Sequence, residues 1–290
     1  MSVIFTDTDC ELWYTEVDKY DIKVIAMPYT IDGEEKFYDM GRHTDFHHFY
    51  ERMRDGAMPI TSALNPQIYI DYFEPYFAKG EDILYVHFSD KMSATFNYME
   101  TALNILQEKY PKAKFTTFNT LSICAGAGIQ ALEAAKLHAE GKSIPEIVEH
   151  LKSFTKHSAC LFAVESLSYL KRGGRISSTK AAIGTMLQLK PVIGVGDDGT
   201  LHQLGTQKGM KKAMMHIADR IKANAQKIDK YPIWVLDADA KGNGDFMEKQ
   251  IKDNLPNAEV LRYPIGPVIG SHCGPGTVGV IYYAEERLKD

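Results

Sequence analysis

Short apolar runs, rich in β-branched and aromatic residues, recur along the whole chain and are typical of β-strands. They lie at residues 3–7, 22–27, 83–88, 114–119, 160–164, 189–195, 233–238 and 258–263. We expect each run to form one strand.

Between most of these runs, apolar residues recur at intervals of three and four, the spacing of an amphipathic helix. The helical patterns cover residues 45–56, 66–80, 93–110, 127–141, 141–156 and 208–227. An alternation of strands and helices predicts an α/β fold with largely parallel sheets.

The ends of several predicted helices carry the residues that usually terminate or begin a helix. Those that end a helix are Gly56, Gly80, Pro111 and Gly141. Ser143, Pro145 and Glu146 form a start signal, with a hydroxyl cap and an acidic residue three positions later. The helix that follows runs to about residue 156, and we place a domain boundary near residue 157.

The chain has 290 residues, of which 44% are hydrophobic, enough for two domains at residues 1–157 and 158–290. The net charge of -5 is spread among acids and bases, which argues against binding nucleic acid or a membrane surface. Four widely separated cysteines and the absence of a secretory pattern or a long apolar run predict a cytoplasmic protein without a stable membrane anchor.

The stretch AGAGIQA at residues 125–131 has the letters of a dinucleotide-binding fingerprint, with Gly126, Gly128 and Ala131 at the three motif positions. These glycines fall inside a helical pattern rather than directly at a strand end, so close helix packing is favoured over nucleotide binding. The sequence contains no GxxxxGK[ST] motif, and we expect no nucleotide cofactor.

A metal site is conceivable at His43, His47 and His48, with Asp39 and Asp45 nearby. Adjacent histidines on a helix point about 100° apart and cannot both ligate one ion, so a solvated surface is favoured. We expect no metal.

The pair His272 and Cys273 lies among glycines and prolines in YPIGPVIGSHCGPGTVGV. A cysteine nucleophile needs a base within reach, but adjacent side chains of an extended segment point to opposite faces. A glycine-rich loop that approaches a ligand, with His272 offering a ring nitrogen, is therefore favoured over a thiol enzyme.

Three polar segments are candidates for holding an anion. ITSALNP at 60–66 and HFSDKMSATF at 87–96 place hydroxyls before helices, where ligands of α/β folds bind. LSYLKRGGRISSTKAAIG at 167–184 adds Lys171, Arg172 and Arg175 before an expected hydroxyl-capped helix. Spacing alone leaves open whether these basic residues form a charged turn, a docking surface or a phosphate guide.

Six ordered elements resemble the DegV family, whose studied bacterial members are fatty-acid-binding subunits of fatty acid kinase. TDTDCEL resembles the family's TDSTxDL, PITSALNP its TSQPSP element, and HFSDKMSATFNYM its S-x-x-LSGTYQSA. LSYLKRGGRIS and LKPVIGVGDDGTL match closely, and IGPVIGSHCGPGTVGV matches the closing IGxxIGxHxGPG. The resemblance spans essentially the whole chain.

The resemblance implies two α/β domains that hold one long-chain fatty acid, such as palmitate, with its tail in the N-terminal domain. It assigns the carboxylate to Thr61, with Ser62 beside it, and to Ser93 and His272 at the domain interface. It also implies a separate dihydroxyacetone-kinase-like subunit that provides ATP and phosphorylates the bound fatty acid.

We assign contacts with that subunit or with the phosphate to Arg172, Arg175 and Lys208. Lys208 stands at the position of a family arginine. Lysine keeps the charge but loses the bidentate fork of arginine.

The sequence thus predicts a monomeric, non-catalytic lipid carrier that presents a carboxylate to a kinase subunit. Two alternatives are a lipid transport or regulatory protein without a kinase partner, and a hydrolase or acyltransferase that uses Cys273.

Overall fold

The computed structural model describes residues 2–176 and 188–288. Its strands are β1 Ser2–Asp7, β2 Lys23–Ile25, β3 Pro28–Ile31, β4 Glu34–Phe37, β5 Ile60–Thr61, β6 Asp82–His87, β7 Phe115–Asn119, β8 Ser158–Ala163, β9 Leu189–Val195, β10 Leu201–Lys208, β11 Ile233–Asp237, β12 Val260–Pro264 and β13 Val278–Tyr283. Its α-helices are α1 Tyr14–Lys19, α2 Phe46–Arg54, α3 Pro66–Phe77, α4 Thr95–Lys109, α5 Ala125–Ala139, α6 Ile144–Thr155, α7 Ser168–Arg172, α8 Met210–Asn224, α9 Lys241–Asn254 and α10 Pro267–Cys273. The hydroxyl-capped helix predicted from the sequence after Ile176 lies outside the described residues.

The N-terminal half is built on a four-stranded parallel sheet in the order β2-β1-β6-β7. All four strands were predicted from their apolar runs, and helices connect β1 to β2 and β6 to β7. Such crossover connections allow all four strands to run in the same direction. Their carboxyl ends therefore lie together along one edge of the sheet. The segments after β1 and β6 leave the sheet at this edge.

A three-stranded antiparallel sheet, β4-β3-β5, joins this half and was not predicted. Asp32 and Gly33 connect β3 to β4 with positive φ angles of 54° and 82°, which suit a two-residue hairpin turn. Strand β5 pairs with β3 through Tyr29 and Thr61, and this pairing fixes the position of Thr61.

The C-terminal half contains a six-stranded sheet in the order β10-β9-β8-β13-β11-β12. Only β11 and β12 run parallel, and the other four neighbouring pairs are antiparallel. The prediction of largely parallel sheets is therefore wrong for this half. The reason is that residues 196–200 are too few for a parallel crossover between β9 and β10, and β13 inserts antiparallel between β8 and β11.

The predicted helices are present, and their ends agree with the capping residues. Gly56, Gly80 and Gly141 have positive φ angles, the conformation that ends a helix most readily in glycine. The Glu146 carboxylate accepts from the Ser143 backbone N–H at 2.9 Å and from its hydroxyl, which completes a capping box at the start of α6. None of the helices in the described ranges is long and apolar enough to cross a bilayer.

Inside α5, the backbone approaches its neighbours closely at Gly126 and Gly128. A Cβ at Gly128 would overlap the carbonyl oxygen of Cys10, and one at Gly126 would overlap the Ser122 hydroxyl. The glycines of AGAGIQA therefore serve packing, as the sequence analysis favoured over nucleotide binding.

Candidate functional site

A cavity of about 260 Å³ lies between the two halves of the chain. Apolar side chains from both halves form most of its wall, among them Met27, Phe88, Ile123, Phe162, Ile265 and Ile281. Polar side chains line it at Asp9, Thr61, Ser62, Ser93, Arg175 and His272. The cavity can accommodate an apolar group while offering hydrogen bonds at part of its wall.

Thr61 and His272 meet in this wall although they are 211 positions apart in the sequence. Thr61 Oγ1 and His272 Nε2 are joined by a hydrogen bond of 2.9 Å. Strand β5 carries the threonine and helix α10 carries the histidine. The structure thus brings two of the predicted carboxylate ligands into direct contact.

Ser93 and Ser62 line the same cavity. Ser93 precedes α4, and its Oγ accepts a hydrogen bond of 3.2 Å from the Thr95 backbone N–H, so its proton is available to another acceptor. Ser62 is exposed and follows Thr61 directly at the end of β5. All four predicted carboxylate residues therefore lie around one cavity.

His272 is neutral at pH 7. Burial is the largest cause that lowers its pKa to about 4, and the charges of Arg175 and Arg172 add to it. Its Nδ1 is buried with no hydrogen-bond partner among the described residues and faces Gly173, where a Cβ would overlap it. A neutral ring carries one N–H, which Nε2 can donate to Thr61 without adding a charge to the cavity.

Arg175 was predicted to contact a partner or a phosphate, and the structure places it in the cavity wall. Its Nε donates to the Met92 carbonyl at 3.1 Å and its Nη1 donates to the Gly173 carbonyl. Burial lowers the pKa of this half-buried guanidinium, and the Asp9 charge opposes that effect. Arg175 thus places a positive charge beside the hydroxyls and the histidine.

Arg172 and Lys208 are both exposed and do not line the cavity. Arg172 lies over the Tyr169 ring, 5.1 Å from its centroid, and its Nη2 is 3.5 Å from the Ser271 carbonyl oxygen. Lys208 ends β10, whereas Leu201 at the other end of that strand lines the cavity. The structure therefore separates Lys208 from the arginines with which the sequence analysis grouped it.

Cys273 lies on a helix, and the expectation of an extended loop around His272 and Cys273 is wrong. Pro267 at the first helical position starts α10, and residues 267–273 form two turns. Cys273 is 6% exposed, and burial raises the pKa of its thiol to about 12. His272 Nε2 bonds Thr61 rather than the thiol, so nothing in this geometry activates a nucleophile.

A group of buried acids at the end of β1 was missed by the sequence analysis. Asp7, Asp9 and Glu11 are 0%, 7% and 2% exposed. Both carboxylate oxygens of Glu11 accept from the Gly266 backbone N–H, at 3.0 and 2.9 Å, directly before α10. The sequence did carry a signal for this group, since three acids occupy alternating positions from residue 7 to residue 11, one residue after the apolar run VIF.

The histidines considered as a metal site, His43, His47 and His48, are not arranged around a common point. Within the described ranges, no group of three or more potential ligands is arranged to hold an ion. His47 instead bonds Asp239 in the other half of the chain at 3.1 Å.

Comparison with known proteins gives consistent matches over the full length. The model of the DegV family matches residues 1–285. A DegV domain-containing protein of Clostridium perfringens is 35% identical over 286 residues, which cover 98% of each chain.

Solved structures have the same fold. A DegV family protein from Thermus thermophilus, described by its fatty acid binding, is 26% identical with a TM-score of 0.84, covering 97% of this chain and 99% of that one. A stearic-acid-binding protein from Eubacterium ventriosum is 23% identical with a TM-score of 0.81, covering 97% and 98%. The α/β fold class predicted from the sequence is confirmed.

Proposed function

Because this chain belongs to the DegV family, we propose that it binds one long-chain fatty acid such as palmitate, with the carboxylate at Thr61 and His272. The observation that carries this proposal is the hydrogen-bonded Thr61–His272 pair in the wall of a largely apolar cavity. The fatty acid binding described for the Thermus thermophilus relative, at 26% identity, supports it.

The polar part of the cavity suits an ionised carboxylate, which only accepts hydrogen bonds. The hydroxyls of Thr61 and Ser93 can each donate to it, and the His272 Nε2–H can donate to the Thr61 oxygen, which leaves the threonine proton for the ligand. Arg175 contributes a nearby positive charge while its own N–H groups are partly occupied by backbone carbonyls. The head group would thus be held by several donors without a bidentate ion pair.

The apolar wall supplies the larger part of the binding free energy. Burying each methylene contributes about 0.8 kcal/mol, so about fourteen methylenes provide roughly 11 kcal/mol before ordering costs. Met27 and Phe88 come from residues 1–157, and Phe162 and Ile281 come from residues 158–290. We therefore place the tail against both proposed domains rather than within the first alone.

Two measurements test this proposal. Lipid extracted from freshly purified protein should contain a long-chain fatty acid by mass spectrometry. Thr61→Val and Ser93→Ala should each raise the Kd for the fatty acid by about 10- to 150-fold, measured by displacement of a fluorescent fatty acid. This change is equivalent to about 1.5–3 kcal/mol, the range for a hydrogen bond to a charged group.

Thr101→Val is the matched control, because Thr101 is exposed on α4, outside the cavity, and its hydroxyl donates to the Asn97 carbonyl at 3.1 Å. Unchanged affinity in both site variants would contradict the assignment of the head group.

We further propose that the bound carboxylate is presented to a separate dihydroxyacetone-kinase-like subunit, which makes the acyl phosphate. The proposed contacts with that subunit are two exposed residues, Arg172, which lies three positions before the cavity residue Arg175, and Lys208. With labelled ATP, Mg²⁺ and saturating fatty acid, the purified chain alone should form no acyl phosphate, and adding the subunit should start the reaction.

Phosphorylation by the single chain after repeated purification would contradict a carrier role. Lack of reaction with any such subunit would favour lipid transport or regulation without a kinase.

A further inference from the structure

Asp9 is an acid in the cavity wall that none of the roles described above uses. It lies in the 3-10 turn Thr8–Cys10 after β1, is 7% exposed and lines the cavity. Its Oδ1 is buried and has no hydrogen-bond partner among the described residues. Buried polar atoms are nearly always paired, so an unpaired one in a ligand cavity calls for a partner from outside the chain.

Among the described residues, Asp7 and Glu11 accept hydrogen bonds, whereas Asp9 Oδ1 accepts none. Asp7 accepts from the Tyr85 hydroxyl at 2.9 Å and from the Asp9 backbone N–H at 3.0 Å. Glu11 accepts from the Gly266 backbone N–H. These bonds hold the turn in place. Of the three acids, Asp9 is the one whose side chain lines the cavity.

The surroundings of Asp9 favour the protonated form of its carboxyl, because they raise its pKa well above the usual value. Burial is the largest cause that raises its pKa, the charges of Asp7 and Glu11 raise it further, and Arg175 opposes them. A protonated carboxyl has one O–H to donate and oxygen lone pairs to accept. It therefore does not repel a bound fatty acid as a carboxylate would.

An unsubstituted alkyl chain offers Asp9 neither a donor nor an acceptor. Covering the carboxyl with methylenes leaves it desolvated and unpaired, which weakens binding of a plain fatty acid. A hydroxyl on the chain can both donate to and accept from this carboxyl, and an oxo group can accept its O–H.

We propose that Asp9 makes the cavity selective for long-chain fatty acids that carry a hydroxyl or oxo group on the chain, which Asp9 binds through its unpaired oxygen. This inference rests on the proposed fatty-acid-binding function and names the ligand class within it. In this proposal Thr61, Ser93 and His272 hold the head group, and Asp9 is assigned to the chain.

The test compares stearic acid with a series of hydroxystearic acids that carry the hydroxyl at different carbons. Each competes with a fluorescent fatty acid for the unmodified protein, Asp9→Leu, Asp9→Asn and the control Asp253→Asn. The measured quantity is the ratio of Kd values for stearic and hydroxystearic acid, which cancels general losses of stability. Thermal unfolding shows whether each variant is folded.

For the unmodified protein, at least one hydroxystearic acid should bind about tenfold more tightly than stearic acid. Asp9→Leu should abolish that preference and bind stearic acid more tightly than before. Asp9→Asn, which can still donate and accept, should retain most of the preference. Asp253→Asn should leave the ratio unchanged, because Asp253 is exposed on α9 and does not line the cavity.

Three results would overturn the inference: no preferred hydroxystearic acid, a preference that survives Asp9→Leu, or an equal loss for both ligands in Asp9→Leu. The last would mean that Asp9 serves the head group or the fold. If stearic acid fails to displace the probe and no fatty acid is found in the purified protein, the proposed function fails, and this inference with it.

Discussion

Gly173→Ala provides an indirect test of His272, since it moves the histidine without altering any side chain that could contact the ligand. Gly173 ends α7 with φ of -73° and ψ of -8°, angles that alanine adopts without strain. A Cβ there would lie closer than 3.0 Å to His272 Nδ1, a separation that real Cβ atoms essentially never show. The methyl group and the imidazole cannot both keep their positions.

The size of the displacement follows from ordinary contact distances. The ring must move by about 1 Å to restore van der Waals contact with the new methyl group. The bond from Thr61 Oγ1 to His272 Nε2 is 2.9 Å long, and useful N···O hydrogen bonds span only about 2.7–3.2 Å. We therefore expect the Thr61–His272 pair to separate or distort.

Loss of one hydrogen bond to a carboxylate corresponds to about 1.5–3 kcal/mol, or about 10- to 150-fold in Kd. Displacement of a fluorescent fatty acid measures it. The control is Gly242→Ala in α9, where a Cβ would meet no atom within 4 Å. That variant should bind normally and unfold at an equal or slightly higher temperature, since alanine favours helix.

A double-mutant cycle isolates the mechanism. In a His272→Ala background the overlap is absent, so adding Gly173→Ala should cost no further affinity. Normal binding by Gly173→Ala, or the same loss in both backgrounds, would refute the argument that Gly173 acts by making room for His272.

Three further changes probe the thiol, the exposed cations and the buried acids. Cys273→Ala should bind fatty acid with a Kd within about threefold of that of the unmodified protein, because the buried thiol is assigned no chemistry. A large loss of acyl-phosphate formation with intact binding would instead indicate that Cys273 acts as a nucleophile. Arg172→Glu and Lys208→Glu should lower acyl-phosphate turnover with the kinase subunit while the fatty-acid Kd stays constant, and parallel losses in both assays would assign them to the lipid site instead. Burial raises the pKa of Glu11 from 4.5 to about 8, so the folded state retains a proton that the unfolded chain releases, and stability falls as pH rises through that window. Urea unfolding from about pH 5 to about pH 9 should show Glu11→Gln losing less stability than the unmodified protein, by on the order of 4 kcal/mol, and equal pH profiles would contradict the raised pKa.

The sequence predicted the parallel sheet and six of the helices well because their signals are local, but it did not predict α9 or the short helices α1, α7 and α10. Apolar spacing and caps such as Ser143 with Glu146 act within a few residues. The hairpin at Asp32 and Gly33 carried a recognisable turn signal that the sequence analysis did not use. The antiparallel order of the second sheet depends on β13 inserting between β8 and β11, a long-range pairing that no local pattern encodes.

The site was predicted unevenly for a related reason. Thr61, Ser93 and His272 followed from the resemblance of short motifs, and the structure places all three around one cavity. Their mutual contact, and the position of Arg175 in the wall, depend on how the two halves pack. Asp9 was missed because an acid after a strand is ordinarily a solvated cap, and only the fold shows it to be buried.

Glycines recur in IGPVIGSHCGPG because α10 packs closely against neighbouring aromatic side chains. A Cβ at Gly266 would overlap the Tyr38 ring, one at Gly270 the Tyr50 hydroxyl, and one at Gly274 the Tyr169 ring. A helix of seven residues is not stable alone, so its position depends on these close contacts and on the bonds from Gly266 to Glu11. Because Tyr38, Tyr50 and Glu11 belong to the N-terminal half, the placement of His272 requires both halves to be packed together. The proposed head-group site therefore depends on the packing of the two halves, and any change that separates them also removes the histidine from Thr61.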